Sequence, residues 1–264
     1  MRIIYISAGH GGKDNGVVSG AFREDELNLK AALYAQKYLA DYDCKVLMSR
    51  TSDVGEKTIE IRCNEAKSNN ANCFLEIHHN SSGGDGCEVF HWRGDAAAKK
   101  LADLVAKEFL ALGQNPHGSA VKESTTKAYN FGVCRINSKN GIPAVLGEFA
   151  FIDNAKDRLI VDSEEDLKLE GEAYAKAAVA FLGLSLKNSQ SVKPATVKKP
   201  PFIVRIVSKT LKIHSGPGSK YKIVGEVNEK EAFTIVKINE QGTWGKLKSG
   251  AGWITLLPRY VKIL

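Results

Sequence analysis

Along the first two thirds of the chain, apolar runs of strand length alternate with longer stretches of helical period. Ile3–Ile6 is a continuous apolar run, and Asp25–Leu39 sets Leu27, Ala31, Tyr34 and Tyr38 on one helical stripe. The same alternation predicts strands over Lys45–Met48, Cys73–Ile77, Cys87–His91, Gly132–Ile136 and Ala144–Phe149, and helices over Thr58–Lys67, Ala96–Leu112 and Glu164–Leu182. Strands that alternate with helices imply an α/β fold, with a mostly parallel sheet flanked by helices. Beyond residue 201 the pattern changes. Ile203–Val207, Ile223–Val227, Ala232–Ile238, Gly245–Leu247 and Gly252–Thr255 are short β-rich runs separated by turn residues such as Ser215-Gly216-Pro217-Gly218. About 60 residues of this kind fit a small all-β barrel.

Charge separates the same two regions. The 264 residues carry 37 Lys and Arg against 30 Asp and Glu, a formal net charge of +7. Residues 1–184 hold 22 basic and 26 acidic side chains, a net −4, whereas residues 185–264 hold 15 and 4, a net +11. Asymmetry of this size predicts two domains with different partners. Ser185–Pro201, rich in Ser, Lys and Pro and without apolar period, reads as a solvated linker. The expected organisation is therefore a domain over 1–184, a linker over 185–201 and a second domain over 202–264.

Composition excludes disordered, collagen-like and disulfide-scaffold classes, since 43% of residues are hydrophobic and only five of 264 are Cys. No apolar run approaches the roughly 20 residues that cross a bilayer, which predicts no membrane insertion. The apolar start before Ser7 is too short for the h-region of an export signal. Cys44, Cys63, Cys73, Cys87 and Cys134 form no C-x-x-C pair, so reduced thiols and cytoplasmic synthesis are expected. Cys134, inside a predicted strand, reads as a small buried hydrophobe.

Active sites of open α/β sheets gather at the carboxyl ends of the strands. There the chain places polar residues that strand formation does not require: Gly9-His10-Gly11-Gly12 after the first strand, His78-His79-Asn80 at the end of another, and Glu148 inside the apolar run Ala144–Phe151. Glu24 opens the first long helix, where the helix dipole alone would also favour an acid. Two imidazoles and a carboxylate around an open position make a catalytic zinc site that lowers the pKa of bound water to about 7. A further carboxylate off the metal would act as general base and acid. Six histidines permit many pairings, so composition alone does not assign the ligands.

The ordered set Gly9-His10-Gly11-Gly12, Glu24 with Asn28, Thr58 with Arg62, Ile77-His78-His79-Asn80 and Glu148-Phe149-Ala150-Phe151-Ile152-Asp153-Asn154 resembles the zinc-dependent N-acetylmuramoyl-L-alanine amidases of the Amidase_3 family, over roughly residues 1–183. The resemblance implies that His10, Glu24 and His78 bind Zn2+ and that Glu148 is the catalytic acid/base. The bond cut would be the amide between N-acetylmuramic acid and the L-alanine of the peptidoglycan stem. Where the family usually has a small residue after the second metal-binding His, this chain has His79, and where it commonly has Gly, this chain has Ala150. Strand alternation lets only one of the adjacent histidines meet His10, and the H-x-N register favours His78. Asn80 and Arg62 are candidate substrate-binding residues. His91, His117 and His214 read as surface or packing residues.

Leu211-Lys212-Ile213-His214-Ser215-Gly216-Pro217-Gly218, Trp244-Gly245 and Gly252-Trp253-Ile254 are similar to a bacterial SH3-like wall-binding domain. The resemblance and the positive charge imply peptidoglycan, and teichoic acid or another anionic wall polymer, as partners of residues 202–264. Basic residues interleaved with stacking aromatics are too few for a single-strand nucleic-acid groove. Without an export signal, the chain resembles a phage or prophage endolysin, made in the host cytoplasm and reaching the cell wall through a holin-type lesion. Two alternatives share the chemistry: an exported bacterial autolysin, and a zinc peptidase cutting within the stem peptide.

Overall fold

The computed structural model describes residues 1–53, 57–187, 198–218, 221–239, 242–257 and 260–264. The chain divides into two compact units, residues 1–189 and 190–264. Residues 188–197 of the expected linker lie outside the described residues.

In the first unit, β1 (Arg2–Ala8) leads through the short hairpin β2 (Val18–Ser19) and β3 (Phe22–Arg23) into α1 (Glu24–Leu39). There follow β4 (Cys44–Met48), α2 (Ile59–Ser68), β5 (Cys73–Asn80), β6 (Cys87–Trp92), α3 (Ala96–Ala111), β7 (Pro116–Ser124), α4 (Gly132–Lys139), β8 (Ala144–Phe151), α5 (Ala155–Arg158) and α6 (Glu164–Leu182). Six strands pair in the order β4-β1-β5-β8-β6-β7, all parallel except β6 against β8. Helices α1, α3 and α6 cover one face and α2 and α4 the other, giving three layers. Thr58 and Asp95 cap α2 and α3 by accepting from the backbone N–H of Ile61 and Ala98.

Side-chain alternation then decides which residue faces which layer. Tyr5, Phe74, Phe90 and Leu146 belong to the core under α2 and α4, together with Cys63 and Cys134. Two residues further along each of three strands, the same face carries Ser7, Glu76 and Glu148, and His78 follows Glu76. The sheet itself thus gathers the polar residues at the carboxyl ends of β1, β5 and β8.

The structure corrects part of the sequence reading. Gly132–Ile136 is not a strand but the first turns of α4, so Cys134 lies on a helix, buried as expected. Strand β7 was not anticipated: it is an edge strand that begins at Pro116 and leaves most of its side chains at least partly exposed, so it lacks apolar alternation. All five cysteines are free and buried.

In the second unit β9 (Phe202–Ile206), β10 (Thr210–His214), β11 (Ile223–Asn228), β12 (Ala232–Ile238), β13 (Trp244–Leu247), β14 (Trp253–Thr255) and β15 (Val261–Ile263) form one antiparallel sheet of order β11-β10-β14-β13-β12-β9-β15. Phe202, Val204 and Ile206 alternate inward and join Leu211, Ile235 and Ile254 in a core separate from that of the first unit. Among the described residues no helix is long and apolar enough to cross a membrane.

Candidate active site

The loop after β1 carries the first imidazole. His10 adopts φ +58°, a left-handed conformation uncommon for a residue with a side chain. It is followed by glycines, and Gly16, at φ +62°, passes so close that a Cβ there would lie 2.6 Å from Glu24 Oε2 and 2.7 Å from His10 Cδ2. Gly9 likewise packs against the His78 ring, leaving no room for a side chain.

Arg50 fastens this loop to the start of α1. Its guanidinium donates to the carbonyl oxygens of Ala8 (3.2 Å), Gly9 (3.0 Å) and Asp25 (2.7 Å), so the backbone before His10 and the backbone beside Glu24 share one rigid fork. Sequence reasoning did not single out Arg50.

His10, Glu24 and His78 meet. Glu24 Oε1 lies 3.2 Å from His10 Nε2 and 2.8 Å from His78 Nδ1, while Oε2 accepts from the Val17 N–H at 3.0 Å. One candidate ligand atom from each of the three residues falls within 4.8 Å of the others. Tetrahedral zinc with bonds of about 2.1 Å separates its ligands by about 3.4 Å, so the donor set fits that ion. Burial alone would raise the Glu24 carboxyl, but the hydrogen bonds and charges of the two imidazoles hold it well below the ordinary range. The same bonds raise both histidines against the opposing effect of burial. A metal entering the cluster would have to displace the protons that these hydrogen bonds hold.

Asp14 completes the first imidazole. Its Oδ2 lies 2.8 Å from His10 Nδ1, and that bond lowers the Asp14 carboxyl.

His79 points to the other face of β5 and leaves the cluster. Fully buried, its Nδ1 lies 2.8 Å from Asn28 Oδ1 and its Nε2 3.2 Å from Glu170 Oε2 on α6. Asn28 in turn donates to the Gly9 carbonyl at 3.2 Å and to Glu24 Oε1 at 3.5 Å. The His79 position, where a small residue was expected by family resemblance, is therefore occupied because a buried carboxylate on α6 pairs with it.

Glu148 stands in register with His78 on β5 and with Glu88 on β6. Its Oε2 is buried without a hydrogen-bond partner. Burial pushes the carboxyl up to about 7, against the opposing charge of His78. A carboxyl poised near neutrality can both take and return a proton. Glu148, His10 and His78 line a cleft of about 280 Å3, whose other walls include Lys57, Ile59 and Phe131.

The two candidate substrate-binding residues have partners within the protein. Arg62 lines the cleft, but its Nη1 donates to Ser7 Oγ at 2.8 Å and to Glu76 Oε1. Asn80 donates to Glu88 Oε2 at 2.6 Å and accepts from the Ser81 N–H at 2.8 Å. Of the remaining histidines, His91 and His214 are buried, with Nδ1 against the carbonyls of Trp92 (3.0 Å) and Tyr221 (2.8 Å), and His117 is half-buried beside the Asp85 carbonyl at 3.3 Å. Sequence reasoning missed Glu76, Asp14 and Glu170. A signal existed for Glu76, the one charged residue within Cys73–Ile77, and for Asp14, four residues after His10.

Comparison with known proteins identifies the family and the fold. The model of the Amidase_3 family, described as N-acetylmuramoyl-L-alanine amidase, matches residues 4–180. The chain is 29% identical over 282 residues to the endolysin of Bacillus phage SPP1, covering 99% of this chain and 98% of that one. It is 31% identical over 197 residues to the N-acetylmuramoyl-L-alanine amidase CwlM of Bacillus licheniformis, covering 73% of each. The catalytic domain of the amidase CwlV from Bacillus (Paenibacillus) polymyxa var. colistinus superposes with a TM-score of 0.61 at 29% identity, over 70% of this chain and 100% of that one. The chain belongs to the Amidase_3 family of N-acetylmuramoyl-L-alanine amidases and is a peptidoglycan hydrolase of that class.

Proposed function

We propose that the first unit is a zinc amidase in which His10, Glu24 and His78 hold the metal and Glu148 moves the proton. The observation that carries this reading is the three-donor cluster at the edge of the same cleft as an unpartnered, buried carboxylate. Bound there, zinc supplies Lewis-acid polarisation of the lactyl carbonyl and of water. Glu148 Oε2 accepts a proton from the water whose oxygen adds to the carbonyl carbon. As the carbon–nitrogen bond breaks, Glu148 gives that proton to the departing amine of L-alanine. Asp14 holds the His10 ring at Nδ1, which leaves Nε2 facing Glu24 and the cluster, where it would offer its lone pair once a metal displaced its proton.

The test is chelation and product analysis. Dialysis against about 1 mM EDTA, followed by its removal, abolishes hydrolysis of purified walls, and one equivalent of zinc restores it. Mass spectrometry then shows stems that begin with free L-alanine. Full turnover after chelation overturns the zinc reading, and new D-amino or glycyl termini identify a stem peptidase instead.

The second unit supplies attachment in this reading. Its antiparallel strands, its own core and its +11 charge over 185–264 support an SH3-like module that docks on peptidoglycan and anionic wall polymer such as teichoic acid. The full-length likeness to a phage endolysin supports lytic release: synthesis in the host cytoplasm and action on the wall after a holin-type lesion opens the membrane. Ending the chain after residue 187 lowers binding to whole walls at least tenfold at low salt, and the full chain loses the same binding as ionic strength rises. Cleavage of a soluble muropeptide stays within about twofold. A pull-down series and a soluble-substrate assay read the two effects apart.

A further inference from the structure

We infer that Glu76, anchored by Arg62, is the positioning residue for His78. The inference rests on the zinc reading above. Glu76 sits inside an otherwise apolar run of β5 with 1% of its surface exposed, a costly place for a carboxylate without a task. Its Oε1 accepts from Arg62 Nη1 and lies 3.4 Å from His78 Nε2, the ring nitrogen that faces away from Glu24. Arg62 is fixed in turn by Ser7 Oγ at 2.8 Å, and Ser7 is the register partner of Glu76 on β1.

The His78 ring is therefore held between two carboxylates, Glu24 at Nδ1 and Glu76 at Nε2. A carboxylate at Nε2 selects the tautomer that carries its proton there. Were a metal to displace the Nδ1 proton that faces Glu24, the lone pair exposed there would point into the cluster. His10 has the mirror arrangement, with Asp14 at Nδ1 and Nε2 facing Glu24. Arg62 fixes the Glu76 carboxylate in place, so its reach into the cleft serves His78 through Glu76 rather than the substrate.

The experiment measures zinc affinity by chelator competition and the d–d absorption of the cobalt(II)-substituted full chain. Removing one member alone leaves a buried charge, so the principal variant replaces both as Arg62→Met with Glu76→Leu, a change that buried pairs commonly tolerate. Melting of the metal-free protein checks that it folds. The expected result is a zinc Kd raised ten- to a hundredfold, in the range seen when an outer partner of a metal-binding histidine is lost, with altered cobalt bands. Should the double variant aggregate, Glu76→Gln, which keeps an acceptor for Nε2 but no charge, gives a smaller rise with the cobalt bands nearly preserved. A folded variant whose Kd stays within twofold of the parent, with unchanged cobalt bands, overturns the assignment of Glu76 while leaving the zinc reading intact. A parent chain that takes up no zinc overturns both.

Discussion

His78→Ala leaves the protein without measurable zinc at one equivalent and without wall hydrolysis. In the proposed zinc site the ring provides one of three donors, and the two that remain, His10 and Glu24, come from a glycine-rich loop and a helix end. The loss extends beyond one ligand. Glu24 is 2% exposed and is stabilised as an anion by two imidazoles, so removing one leaves a buried charge half-compensated. Breaking a buried pair in this way costs about 3–5 kcal/mol, which appears as a lower melting temperature of the metal-free protein. His79 is the internal control. It is adjacent in sequence but faces α6, so exchanging His79 and Glu170 together for leucines keeps zinc at one equivalent per chain. Metal analysis after gel filtration distinguishes the two. Equal zinc in the parent and in His78→Ala removes His78 from the ligand set.

That contrast shows what the sequence alone could carry. The ends of β1, β5 and β8 were legible because His10 and His78 follow apolar runs and Glu148 interrupts one, whereas their roles came from the family resemblance rather than from pattern. The face each one takes follows from strand alternation, once the strand is recognised. Partners at long range are different in kind. Glu170 is 91 residues from His79, and within α6 it reads as one acid among several at the start of a helix. Only the packing of α6 against α1 and the sheet makes it a buried partner. Helix α4 was misread for a related reason: Gly132–Ile136 holds Val, Cys and Ile in five residues, too short a window to separate a period of 2 from one of 3.6. The tertiary context settles it, since Val133, Cys134 and Asn137 bury one helical stripe and Asn137 donates to Cys63 Sγ on α2.

Charge was legible only in part, for the same physical reason. The sum over residues 1–184 is −4, yet the cleft is walled by Arg50, Lys57 and Arg62 as well as by its carboxylates. Arg50 and Arg62 are spent on backbone carbonyls and on Glu76, and Lys57 on Glu65 at 2.7 Å. Net charge predicts long-range attraction, as in the second unit, whereas a site depends on which charges are already paired.

Glu148→Gln reduces the rate of amide hydrolysis roughly 10²- to 10⁴-fold, the range of a lost general acid/base, while zinc remains bound. Gln is close to Glu in volume and reproduces its shape at a site whose Oε2 has no partner to lose, so the fold is retained. Stability rises at pH values above the carboxyl's ordinary range, because burial raises it to about 7. The sign follows from that direction: a group whose folded-state pKa lies above its unfolded one favours folding most when protonated, and this advantage fades as the pH climbs toward 7. The amide has no charge to bury, so the metal-free variant melts above the parent at pH 8 and at the same temperature at pH 4. Activity behaves in the opposite way. In the proposed mechanism the carboxylate accepts a proton from water before it returns one to the amine, and an amide does neither, so kcat falls with little change in KM. An unaltered zinc stoichiometry with unaltered turnover would remove Glu148 from the mechanism. Lost zinc would instead place it among the ligands.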